Sequence, residues 1–308
     1  MEAKMEDAMY VITGATGNTG SVVAQNLLSE GAKVRAIGRS ADRLQALAAR
    51  GAEPFVADLS DAAALTKAFT GAKAVYVVVP PNLAAPDLRA FQARVTNAAA
   101  AALERAGVTH AVTLSSVGAD KPAGTGPVVE LHNLEERLNQ IVGLNVLHLR
   151  PGYFMENTLA QAGMIKAMGV TAGPLRPDLK LSMIATRDIG EAAADALLRL
   201  DFRQKQTREL LGQRDLSMSE VARIIGKAIG KPSLPYIQAP DDQVYGALVQ
   251  LGMSPNMADL ILEMSAALNA GHMRALEPRS ARNTTPTSYE SFVEKEFVPR
   301  YQAGSAAA

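Results

Sequence analysis

The chain has 308 residues, enough for one large domain or two modest ones, and its 48% hydrophobic and 20% charged residues are ordinary for a globular protein. Its 31 Lys and Arg balance 31 Asp and Glu, so no net charge draws it to nucleic acid or anionic membrane. Cysteine is absent, which excludes disulfides, thiolate metal sites and a cysteine nucleophile. The opening MEAKMEDA lacks the apolar core and cleavage site of a signal peptide, and no run approaches 18 apolar residues, so a cytoplasmic protein with no membrane span is expected.

Short β-branched runs predict strands near 8–13, 32–37, 54–57, 73–79, 110–115 and 145–149. Helical patterns fall between them, near 19–30, 41–50, 61–70, 87–106 and 128–142. Phe91, Val95, Ala99 and Leu103 recur every four residues, as one buried stripe would. Gly31, Gly51, Gly71, Gly107 and Gly143 each stand between a helix and the next strand, where a left-handed stop is cheapest. Five such βα repeats predict an α/β fold with a doubly wound parallel sheet. After Pro151 helices are expected near 153–168, 187–200, 217–230, 241–252, 256–269 and 288–298, with short strands in 179–185 and near 208–211. The tail QAGSAAA at 302–308 reads as frayed. The organisation expected is a nucleotide-binding lobe over 1–152, with a return segment about 180–211, and a smaller, mostly helical C-terminal lobe over 153–308. A small-molecule substrate would sit in the cleft between the lobes.

The stretch VITGATGNTG at 11–20 runs from a predicted strand into a predicted helix. Gly14 allows the sharp exit from the strand, Gly17 lets a pyrophosphate approach the main chain, and Gly20 lets the helix pack on the sheet. A helix starting at Asn18 or Thr19, after Thr16, would aim its free N–H groups at the phosphates. This is the strand-loop-helix setting of a Rossmann dinucleotide site rather than of a structural turn. The second strand ends AIGRS at 36–40, with no carboxylate before Asp42 to take a ribose 2′-hydroxyl. Arg39, reinforced by Ser40 and Arg43, suits a 2′-phosphate, which favours NADP(H) over NAD(H). Asp58 and Leu59 would flank the adenine, and Val79, Pro80 and Pro81 would wall the cofactor, unless they form only a cap and a stiff loop.

The spacing G-x-x-G-x-x-G resembles the loop of extended and atypical short-chain dehydrogenases/reductases. Together with VRAIGR (34–39), LSSVGA (114–119), His132-x-x-x-Glu136, LRPGYFMEN (149–157) and ATRDIGEAAADAL (185–197), the chain resembles the NmrA-like family of that superfamily. The resemblance implies either an NADPH-dependent oxidoreductase acting on a quinone, enone or azo-type substrate, or a non-catalytic NADP(H)-sensing regulator. Relatives of the family include quinone oxidoreductases, azo- and triphenylmethane-dye reductases and regulatory proteins. A regulatory protein partner or a homo-oligomer is compatible with it.

The superfamily's Tyr-x-x-x-Lys dyad has no counterpart here. None of the seven tyrosines is followed four residues on by lysine, and the helix that would carry the dyad has Val128 and His132 at its two positions. Three candidates remain for proton delivery. His132 would hydrogen-bond the nicotinamide ribose in place of lysine or act as the acid, with Glu136 one turn on to orient it. Ser115 and Ser116 end the fifth strand at its ligand-facing edge, and Tyr153 follows the sixth. Each has a plain structural role as its alternative: a buried histidine, a strand-end cap, packing between lobes. No histidine pair has metal spacing, so no metal is expected. The Met-rich helices read as core more than as a substrate lining.

Overall fold

The structure, a computed structural model, describes residues 8–303. The charged segment 1–7 and tail residues 304–308 lie outside the described residues. β1 (Met9–Ile12), β2 (Lys33–Gly38), β3 (Glu53–Val56), β4 (Ala72–Val77), β5 (His110–Leu114) and β6 (Asn145–Pro151) alternate with α1 (Asn18–Ser29), α2 (Ala41–Ala48), α3 (Ala62–Phe69), α4 (Leu88–Arg105) and α5 (Val129–Asn139). The five glycines named as helix stops all have positive φ, from +65° at Gly107 to +97° at Gly51, so a side chain there would be strained.

Beyond β6 come β7 (Tyr153–Phe154), α6 (Gln161–Met168), β8 (Thr171–Gly173), β9 (Leu181–Ile184), α7 (Thr186–Arg199), β10 (Lys205–Leu210), β11 (Asp215–Leu216), α8 (Met218–Ala228), β12 (Tyr236–Gln238), α9 (Asp241–Gln250), α10 (Pro255–Asn269), α11 (Tyr289–Phe292) and α12 (Val298–Ala303). Three expectations need correction. Residues 153–154 are a strand, because Tyr153 and Phe154 pair in parallel with Met183 and Ile184; the α-helix starts only at Gln161. The last helical stretch passes through a π turn at Val293–Phe297 and continues to Ala303, so Gln302 and Ala303 are helical. The C-terminal part also holds two small sheets, β11-β9-β7 and β12-β8.

The main sheet has seven parallel strands in the order β10-β6-β5-β4-β1-β2-β3. This is a doubly wound Rossmann-like α/β fold, with β10 returning from the C-terminal half to extend the edge at β6. One face packs Val23 and Leu27 of α1, Leu44 of α2 and Ile189 of α7 into a common core. The other packs Phe69 of α3, Val95 and Leu103 of α4, and Leu134 and Leu138 of α5. The sequence RDIGEAA explains the fit of α7: a Cβ on Gly190 would lie 2.6 Å from Val22 Cβ and 3.0 Å from the Thr19 carbonyl. Asp188 in that stretch accepts from the Thr287 amide (3.0 Å), tying the C-terminal segment to α7. A separate core joins Ile165, Met183, Ile225, Tyr289 and Phe297.

The α5 side of the sheet is not wholly apolar. His148 on β6 is fully buried, with Nδ1 2.8 Å from Thr113 Oγ1 and Nε2 3.1 Å from Asn139 Oδ1. Burial lowers its pKa to about 4. The unfolded chain takes this proton below about 6.5 while the native chain resists until about 4, so stability is lost as pH falls through that window. The loss expected between pH 7 and pH 5 from this group is about 2 kcal/mol. Urea unfolding of the wild type and His148→Gln at both pH values checks it: the wild type should lose more stability on acidification, and equal losses would refute the assignment.

Candidate functional site

In a parallel sheet every strand delivers its following loop to the same edge. The loops after β1, β2 and β4 meet there. Ala15 N–H bonds the Ile37 carbonyl (3.0 Å), the Arg43 guanidinium reaches the Thr16 carbonyl (3.4 Å), and Thr13 Oγ1 accepts from the Val78 amide (2.9 Å).

Sterics fix the glycine loop. Gly14 has φ +60°, and a Cβ there would stand 2.6 Å from Val78 Cγ2; one on Gly20 would stand 2.3 Å from the Gly14 carbonyl oxygen. Gly17 differs: its φ is −89°, it is exposed, and a Cβ would meet only Gly14 O at 3.2 Å. Gly17 is the N-cap of α1, with no side-chain cap and no acidic residue in the first turn. The first intrahelical bond is Ser21 N–H to Gly17 O (3.0 Å), so the amides of Asn18, Thr19 and Gly20 have no helical partner. The positive end of α1 thus opens beside the exposed Gly17 and Asn18, which is the character of a phosphate site. The Thr19 side chain is turned inward, accepting from the buried Tyr76 hydroxyl (3.0 Å), so only its backbone faces a ligand.

Arg39 is exposed and has no hydrogen-bond partner among the described residues. Ser40 caps α2 by accepting from Arg43 N–H (3.4 Å), so its hydroxyl is already engaged. Asp58 accepts from the Ser60 hydroxyl (2.6 Å) and amide (2.8 Å); these bonds, with the Arg39 charge, hold its carboxyl below the ordinary range. The cap of α3 is Asp61, not Asp58. Leu59 and Val79 belong to the core under α3 and α4, so their side chains support the edge from below. Pro80 is half-buried and Pro81 exposed beyond them.

His132 Nδ1 lies 2.9 Å from the Ala119 carbonyl. A carbonyl only accepts, so Nδ1 carries the proton, and the neutral ring presents an unprotonated Nε2. Glu136 is exposed and is not the partner of His132, contrary to expectation. Ser115 also needs correction as a proton donor. It is buried and its hydroxyl donates to Glu135 Oε1, while Glu135 takes a forked pair of bonds from Arg150 (2.9 and 2.6 Å). Ser116 bonds the Val117 carbonyl (2.9 Å). Tyr153 is half-buried and packs against the C-terminal core, and burial raises its pKa.

The sequence reading missed the Ser115–Glu135–Arg150 cluster. A signal existed: Thr113 and Ser115, and His148 and Arg150, are polar residues alternating with apolar ones at the ends of the fifth and sixth strands, matched by Glu135 and Asn139 one turn apart. Glu156, within the stretch LRPGYFMEN, has a structural role. It accepts from the Thr186 amide (2.9 Å) and hydroxyl (2.6 Å) and caps α7. A cavity of about 40 Å³ lies beside it, lined by Arg187, Thr287, Lys295 and Glu296 among others, which suits water and not a dinucleotide. Met155 and Met257 are buried in core, whereas Met168 is exposed. No helix of the described residues is long and apolar enough to cross a membrane, and no cluster among them could hold a metal ion.

From residue 6 to residue 294 the chain matches the model of the NmrA-like family. It is 32% identical over 260 residues to an NAD(P)H azoreductase of Xenophilus azovorans, covering 84% of this chain and 86% of the relative. It is 30% identical over 267 residues to quinone oxidoreductase 2 of Escherichia coli K12, covering 85% and 89%. The fold also matches NmrA, a negative transcriptional regulator, in complex with NADP, with a TM-score of 0.73 and 17% identity over 97% of this chain and 98% of that one. The family model and the azoreductase match lead to one conclusion: the chain belongs to the NmrA-like family.

Proposed function

We propose that the protein is an NADPH-dependent oxidoreductase that passes hydride to a small electrophilic acceptor such as a quinone, enone or azo compound. The observation that carries this reading is the uncapped positive end of α1 behind Gly17, with an exposed Arg39 on the neighbouring loop that makes no hydrogen bond among the described residues. The names of the azoreductase and quinone oxidoreductase relatives support it. Residues 1–152, with the return about 180–211, would hold the cofactor, and the remainder would cover the acceptor.

The residues fit the cofactor group by group. Amides of α1 would hold the diphosphate, and Arg39, with Arg43 beside it, would pair with the 2′-phosphate. When bound, the reduced nicotinamide supplies the hydride. His132 would accept a ribose hydroxyl at Nε2 when neutral and release a proton from the same atom when charged. Other candidate donors are occupied. Ser115 serves Glu135, Tyr76 serves Thr19, and Tyr289 serves Thr158 (2.8 Å). With the half-buried His132 as the remaining candidate acid among the described residues, acceptors whose reduced anions are delocalised are favoured over simple ketones, because they need less protonation in the transition state.

The same shortage of donors favours a second reading, a sensor of NADP(H) without turnover. NADPH oxidation across a panel of quinones, azo dyes and ketones, run beside titrations with NADP⁺ and NADPH, separates the two. Steady turnover of quinones or azo dyes is expected, with kcat falling by about 100-fold in His132→Ala. Tight, oxidation-state-dependent binding with no turnover of any acceptor would replace the reductase by the sensor.

A further inference from the structure

Helix α5 is fastened to the sheet by polar bonds where apolar packing would suffice. His132, Glu135 and Asn139 are spaced i, i+3, i+7 and therefore share one face of α5. Each meets a separate level of the sheet. Asn139 meets His148, which in turn meets Thr113. Glu135 meets Ser115 and Arg150 one level higher, two residues further along the same two strands. His132 meets the Ala119 carbonyl beyond the strand end. Glu135 and Arg150 are mostly shielded, with side-chain exposures of 4% and 13%.

Such groups are costly to bury without partners, and each rung has its partners only in one rotation and one register of α5. Sliding the helix by one residue would shift it 1.5 Å and turn it by about 100°, stranding Glu135 and His148 together. Buried ion pairs contribute little net stability compared with well-packed apolar residues of similar volume, so geometry is what this arrangement provides.

We propose that the two lower rungs are positioning residues that set the rotation and height of α5 and so hold the His132 ring at the ligand edge. The proposal rests on the reading of His132 as the residue facing the nicotinamide ribose. The double variant Glu135→Leu/Arg150→Met replaces one rung by apolar packing. It is expected to melt within a few degrees of the wild type, while kcat for a quinone falls at least tenfold and KM changes less than threefold. Histidine NMR reads the geometry without turnover. With four histidines in the chain, His132→Asn assigns the resonance, and in the double variant the Nδ1 signal should lose the shift given by the Ala119 bond. Should the double variant fail to fold, Ser115→Ala, which keeps the ion pair, should show the same changes at about threefold. Unchanged kcat together with an unchanged His132 signal, in a folded variant of either kind, would overturn the proposal. The two claims fail separately. If NADPH leaves the wild-type His132 signal unmoved, the reading of the ligand edge is lost, while the comparison of the unliganded signals still decides the positioning role.

Discussion

Gly17→Val is expected to lower NADPH affinity by at least about 100-fold while lowering the melting temperature less than Gly20→Ala does. The argument is local. The φ of Gly17 is open to any residue and the position is exposed; its Cβ would press on the Gly14 carbonyl oxygen at 3.2 Å, a tight contact that costs some stability. Valine there would keep the loop but stand between a diphosphate and the amides at the start of α1. Losing two charge-assisted hydrogen bonds is worth about 3 kcal/mol, which is about a factor of 100 in Kd. Gly20→Ala is the control with the opposite signature. Its Cβ would sit 2.3 Å from a backbone oxygen that cannot step aside, so the cost falls on folding, at about 1–3 kcal/mol. Calorimetric titration with NADPH and thermal melting of both variants test the pair. A valine variant that binds like the wild type would remove the glycine loop from the site.

Arg39→Ala is expected to weaken NADPH by about 10- to 100-fold and NADH by less than about threefold. The guanidinium is exposed and without a hydrogen bond among the described residues, so it is available to a 2′-phosphate that only NADPH carries. A bidentate arginine–phosphate contact contributes about 1.5–3 kcal/mol. Arg43 should matter less, since its amide is held by Ser40 and its guanidinium already reaches the Thr16 carbonyl. Titrating both coenzymes into both arginine variants checks the order. Equal losses for NADPH and NADH in Arg39→Ala would dissolve the specificity argument.

The parallel sheet was legible because its signals are local. Apolar strands such as YVI at 10–12 and glycines at helix ends state their conformation within a few residues. The C-terminal half was less so. β7 is two residues long and exists because Met183 and Ile184, thirty residues on, lie beside it. At the site, residue types were readable but their partners were not. The Thr19 hydroxyl belongs to Tyr76, 57 residues away, and the Ser115 hydroxyl to Glu135. Helical spacing offers Glu136 as the companion of His132, yet the fold supplies the Ala119 carbonyl, a backbone atom that no residue pattern announces.

The account depends on a reduced dinucleotide phosphate lying across the end of α1 with its 2′-phosphate against Arg39. Side-by-side calorimetric titration of the wild-type protein with NADPH and NADH tests this most directly. One binding event per chain is expected for each, with NADPH bound at least about tenfold more tightly. No heat with either coenzyme, or indistinguishable affinities for the two, would contradict it.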